Sequence, residues 1–237
     1  TNAIPSEPTQ TSECFIPDVF SFRFGCFRPQ VELNGEWDFK IDKEDLGVSR
    51  GWPEGREVFD RTIKIPGVPQ AQGIGTPNSR QKNQFLDPFW VRRKFQMPDV
   101  AAGKRVWLRL GGVFPAAAVY LNGQSIGYTK SSRTQQRVDV TRFVKPGVEN
   151  LVAIKVCDLP KVRLDGMYEW QELSMIWSGV YRSVCLEITD EVSLIDEYIQ
   201  PRLVQSKAEV SFELSHPSPS PLRVVLKVMD GKRSLGS

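Results

Sequence analysis

The chain has 237 residues and a net charge of +3, with 40% hydrophobic and 25% charged residues. These values belong to a soluble globular protein with room for one large or two medium domains. The longest basic run, Arg92-Arg93-Lys94, is too short for a nucleic-acid footprint, and no apolar run approaches the ~20 residues of a membrane span, so neither partner is expected. Residues 1–29 open with the polar, turn-rich TNAIPSEPTQTS and read as a tail and lead-in. From Leu33 the pattern has period two. In LNGEWDFKID, Trp37, Phe39 and Ile41 share one face, and DRTIKIP adds Ile63 and Ile65. FWVRRKFQMP groups Phe89, Val91, Phe95 and Met97, and RVWLRL groups Val106, Leu108 and Leu110.

AAAVYLNGQSIGY is a hairpin. Asn122-Gly123 between apolar residues suits a type I′ turn, whose two central residues both need positive φ. RVDV, NLVAIKV and GVYRSVCLEI continue the series, the last with Val180, Val184, Leu186 and Ile188 on one side. Only KEDLGVSRGW and TRFV suit a turn or two of helix. Many short strands with regular turns predict an all-β fold, a jelly-roll β-sandwich over residues 30–190. The segment from Pro66 to Pro88 has no strand pattern and exceeds the ~12–15 residues usual for a structureless loop. Its apolar residues Val68, Ile74, Phe85 and Leu86 predict an ordered loop across one end of the sandwich. Residues 191–237 read as a second unit of three strands, with Ala208, Val210, Phe212 and Leu214 on one face.

Chemistry-bearing side chains are few. The one histidine, His216, stands in HPSPSP and reads as a solvated loop residue, which removes histidine-based triads. Cys14, Cys26, Cys157 and Cys185 show no CxxC or Cys/His metal spacing, and no Gly-rich phosphate loop is present. No metal and no cofactor are therefore expected. Cys157 and Cys185 lie in strand-like runs and read as small buried hydrophobes, and pairing of Cys14 with Cys26 stays open. Core packing is expected for Trp37, Trp90 and Trp107. The acid pairs Glu44/Asp45, Glu169/Glu172 and Asp190/Glu191 read as solvated loop charges.

LNGEWDF at 33–39, the GW at 51–52, IPGVPQAQGIG at 65–75, FWVRRKFQMP at 89–98, AAVYLNGQSIGY at 117–128, DVTRFVKPGVENLVAIKV at 139–156 and WSGVYRSVCLEI at 177–188 occur in an order and spacing that carry a resemblance. Together they resemble the N-terminal sugar-binding domain of glycoside hydrolase family 2, the family of β-galactosidases, β-glucuronidases and β-mannosidases. This domain has a galactose-binding-domain-like jelly roll. The strands after Glu191 are similar to the opening of the family's immunoglobulin-like second domain, of which 191–237 would be an incomplete part.

The resemblance implies a parent enzyme, a retaining exo-β-glycosidase, with its two catalytic glutamates on a TIM barrel of ~250 residues that this sequence lacks. It therefore implies no catalytic residue here, and this chain alone is expected to be inactive. In the β-galactosidase branch the asparagine of this hairpin and an acid before the SGVYR-type motif reach toward the sugar. Asn122 matches the first position. Counting back from Ser178, the second falls at Leu173, with Glu172 beside it as the candidate acid. Trp170, flanked by Glu169 and Gln171, is the candidate for stacking on a sugar ring. The implied partners are a carbohydrate held weakly by a half-site and the absent barrel, and the uncovered face of 191–237 is expected either to pack back on the jelly roll or to associate with a second copy as a homo-oligomer. Two other functions suit the same residues: an autonomous carbohydrate-binding module, and a purely structural or oligomerisation domain.

Overall fold

The structure is a computed structural model that describes residues 16–17, 28–75, 87–129, 134–157, 178–218, 220–230 and 233–236. The chain divides into two compact units, Thr1–Asp190 and Glu191–Ser237.

The first unit is a β-sandwich. One sheet contains β1 (Ile16–Pro17), β2 (Gln30–Glu32), β6 (Arg105–Leu110), β10 (Gln136–Asp139) and β13 (Val184–Thr189), in the order β1-β10-β6-β13-β2. The other contains β3 (Gly35–Ile41), β4 (Arg61–Ile65), β5 (Phe89–Gln96), β8 (Ala117–Leu121), β9 (Gln124–Thr129) and β11 (Glu149–Val156), in the order β4-β3-β5-β11-β8-β9. A two-stranded piece pairs β7 (Val113–Phe114) with β12 (Gly179–Val180). Val180, read from the alternation as continuous with Val184, thus belongs to a separate short strand.

Alternation fixes the core. In the six-stranded sheet, Phe39 faces Val91, Val91 faces Ile154 and Ile154 faces Val119, a row of apolar side chains across four strands. In the five-stranded sheet, Val138, Leu108, Leu186 and Val31 form the matching row. These rows face each other and close a single core with Trp37, Phe89, Phe95, Met97, Val106 and Leu110. One register position along, every side chain switches to the outer face.

Both outer faces are covered. On the six-stranded sheet, residues 42–60 form a strap between β3 and β4, and Trp52 packs with Trp90 and Ala153, against Phe59 and Tyr120. Arg92 and Lys155, on this outer face, are buried as well. On the five-stranded sheet, Trp107, Arg109, Arg137, Cys185, Glu187 and Thr189 all point outward in register and are all buried. Trp90 and Trp107 are therefore buried as expected, but outside the inter-sheet core.

In the second unit, β14 (Leu194–Arg202) pairs with β15 (Lys207–Leu214), and β16 (Val228–Asp230) with β17 (Arg233–Gly236). Tyr198, Ile199, Leu203 and Val204 are exposed.

Candidate functional site

The hairpin between β8 and β9 turns through Asn122 at φ 51° and Gly123 at φ 84°, the left-handed pair that a type I′ turn requires. The asparagine does more than turn the chain. Its Nδ2 donates to Phe143 O and to Asn150 Oδ1, each at 2.8 Å. Its Oδ1 accepts from Leu151 N at 3.0 Å, and its own N–H donates to Leu151 O at 2.8 Å. Both amide hydrogens are thus committed inside the protein, and a ligand would find only the remaining lone pair of Oδ1. Asn150, buried and 28 positions further along the chain, is the hub: its Nδ2 donates to Lys145 O and Val148 O, and its Oδ1 also accepts from Lys145 N. Sequence reasoning missed Asn150, because an asparagine at the start of a strand signals nothing without its distant partner.

The two long loops are anchored elsewhere. Gly67 N donates to Val180 O at 2.8 Å, Gly179 pairs with Phe114, and Cys157 N donates to Ala116 O at 2.9 Å. The near ends of the segments 66–88 and 158–178 therefore meet each other beside the start of β8. Packing there is tight: a Cβ on Gly179, at φ 151°, would stand 2.8 Å from Gly67 O. The Asn122 tip lies at the other end of β8, five residues away, or roughly 17 Å of extended chain. Whether the hairpin gathers with the segments 66–88 and 159–178 at one end of the sandwich, as the family resemblance implies, turns on residues that lie mostly outside the described ones. Trp170, Glu172 and Leu173 lie outside the described residues, as do Tyr168 and Trp177.

The strap carries most of the charged chemistry. Asp42 Oδ1 accepts from Leu46 N at 2.8 Å, while its Oδ2 accepts from Gly47 N at 3.0 Å and Trp90 Nε1 at 2.8 Å. Asp45, read from sequence as a solvated charge, instead pairs with Lys155, because its left-handed backbone at φ 59° turns it onto the buried ammonium. Lys40 Nζ donates to Glu57 at 2.9 Å and lies 5.2 Å from the centre of the Trp52 ring. That hydrogen bond and the ammonium charge hold the Glu57 carboxyl below its ordinary range. The Arg92 guanidinium stacks 3.9 Å over Phe59 and bonds Asp38 at 3.2 Å. Nearby, burial pushes the Tyr120 phenol up to about 12 and raises the Cys157 thiol. No group of acids, cysteines and histidines among the described residues could hold a metal ion.

The family model described as "Glycosyl hydrolases family 2, sugar binding domain" matches residues 31–189. The chain belongs to glycosyl hydrolase family 2. A β-galactosidase of Thermoanaerobacter pseudethanolicus is 32% identical over 196 residues, covering 82% of this chain and 24% of that protein. A β-glucuronidase of Paenibacillus borealis is 28% identical over 142 residues, covering 60% of this chain and 22% of the relative. The chain thus spans about a quarter of the length of these curated relatives. Among solved structures, the β-glucuronidase of Ruminococcus gnavus in complex with D-glucuronic acid superimposes with a TM-score of 0.66 at 22% identity, covering 84% of this chain and 36% of that one. At that identity the likeness concerns the fold.

Proposed function

We propose that this family 2 chain is the non-catalytic, sugar-binding N-terminal region of a larger retaining exo-β-glycosidase. Residues 30–190 are its sugar-binding domain and 191–237 the first strands of an immunoglobulin-like sandwich. The chain shapes and supports an active site whose two carboxylates stand on a TIM barrel outside it. One observation carries this reading: the strap covers one outer sheet face, and on the other the outward side chains of Trp107, Arg109 and Glu187 are buried. An autonomous carbohydrate module that binds on a strand face needs an exposed aromatic row there, and neither face offers one among the described residues. Sugar contact is left to the loop ends, where Trp170 and Glu172 are the proposed contacts and Asn122 offers one acceptor lone pair.

A half-site at loop ends presents few converging polar groups, so free sugars bind with Kd in the millimolar range or weaker, equivalent to only ~4 kcal/mol. Calorimetry with galactose, glucuronate and their β-linked oligosaccharides tests this. Weak or undetectable heats are expected. Micromolar binding lost in Trp170→Ala would replace the reading with that of an autonomous module.

A further inference from the structure

The sequence contains two Asn-Gly steps, Asn34–Gly35 and Asn122–Gly123. In a mobile chain such a step is chemically unstable, because glycine lets its backbone nitrogen approach the preceding side chain. The glycine nitrogen attacks the asparagine Cγ. That N–C bond forms, the Cγ–Nδ2 bond breaks, and Nδ2 leaves as ammonia with the proton lost from the glycine nitrogen. Water then opens the resulting succinimide at either carbonyl, giving aspartate or isoaspartate.

At Asn122 the fold blocks the first step. The two Nδ2 hydrogens are held on Phe143 O and Asn150 Oδ1 at 2.8 Å, and Oδ1 accepts from Leu151 N at 3.0 Å. An amide fixed at all these positions cannot swing its Cγ onto Gly123 N. The backbone is fixed as well: Asn122 stands at φ 51° with its N–H on Leu151 O, and ring closure needs its ψ to leave the left-handed region. Glu54 of the strap packs on Gly123, where a Cβ would lie 2.7 Å from Glu54 Cγ. Asn34 is held less firmly, its side chain making one hydrogen bond among the described residues, from Val184 N to Oδ1 at 3.0 Å.

Asn150 gives the lock a direction. Its Nδ2 donates to Lys145 O and Val148 O and its Oδ1 accepts from Lys145 N, so it cannot reverse its amide to offer Asn122 a donor without losing all of these. An aspartate at position 122 would set a carboxylate oxygen against two acceptors, Phe143 O and Asn150 Oδ1, and the original bonds could not re-form. We propose that Asn122–Gly123 is a latent self-modification site, held shut by Asn150 in the folded chain and converted irreversibly to aspartate or isoaspartate when the hairpin tip opens. The tip is a one-way switch.

The test incubates the whole chain in warm neutral buffer beside the synthetic peptide VYLNGQSIGY, following both Asn-Gly steps by peptide mass and isoaspartate labelling. Conversion at Asn122 in the folded chain is expected to be at least about tenfold slower than in the peptide, since several hydrogen bonds must open together. In Asn150→Ala it should rise toward the peptide's rate while Asn34 keeps its wild-type rate. Wild-type conversion as fast as the peptide's would overturn the proposal, as would an unchanged Asn122 rate in a folded Asn150→Ala. A variant that unfolds would speed both steps alike, and the wild-type chain in urea below its unfolding transition then decides. There, acceleration at Asn122 alone is expected; both steps rising together, or neither rising, would overturn the proposal.

Discussion

Asn122 makes two contributions, a left-handed backbone and an amide that ties the hairpin to Phe143, Asn150 and Leu151. They can be separated. Asn122→Gly keeps the turn and loses the amide, whereas Asn122→Ala loses the amide and adds ~1–2 kcal/mol of left-handed strain. We expect the glycine variant to cost about 2–3 kcal/mol from unpaired partners, and the alanine variant more. Chemical denaturation measures both; equal stabilities would mean that the turn conformation carries no strain. Tyr120 gives a test by pH. Its phenol rises from 10 to about 12 because burial penalises the phenolate. The unfolded chain loses this proton first, so the contribution is complete below pH ~10 and is lost as pH rises through ~12, about 2–3 kcal/mol in all. Replacing Tyr120 with Phe should flatten the fall in stability over that window. An unchanged pH profile would show that Tyr120 is not the group responsible.

At the scale of the element, the strap decides what the six-stranded sheet can do. Trp52 is its anchor, and Trp52→Ala should cost about 3–5 kcal/mol, as for other buried aromatic truncations. Gly47 is equally constrained, since a Cβ there would lie 2.4 Å from Trp90 Nε1 and 2.7 Å from Asp42 Oδ2. Gly47→Ala should therefore break the Asp42–Trp90 bond and quench or shift the Trp90 fluorescence; an unaltered spectrum and melt would show that the strap can yield. The sandwich was legible in the sequence because period-two alternation is a local signal. Trp37, Phe39, Phe89 and Val91 announce their face within one strand. The strap was not legible. Half-buried Lys40 and buried Arg92 and Lys155 sit at outward positions where the pattern says solvent, and their partners Glu57, Phe59 and Asp45 are distant in sequence. The hairpin turn was legible, whereas its Asn150 partner was not, for the same reason.

For the whole molecule, the expectations concern association and chemistry. The β14–β15 ribbon leaves Ile199, Leu203 and Val204 at 64%, 86% and 102% exposure. A two-stranded ribbon with such a face is marginal by itself and invites pairing. Light scattering is expected to give a mass that rises with concentration, and a strict monomer at high concentration would remove the expected homo-oligomer.

In the function proposed above, this family 2 chain contacts sugar and leaves hydrolysis to carboxylates outside it. Incubating the purified chain with nitrophenyl β-galactoside and nitrophenyl β-glucuronide tests it most directly. No release of nitrophenol above the blank is expected with either substrate. Release that disappears when a glutamate within this chain is replaced by glutamine would contradict it.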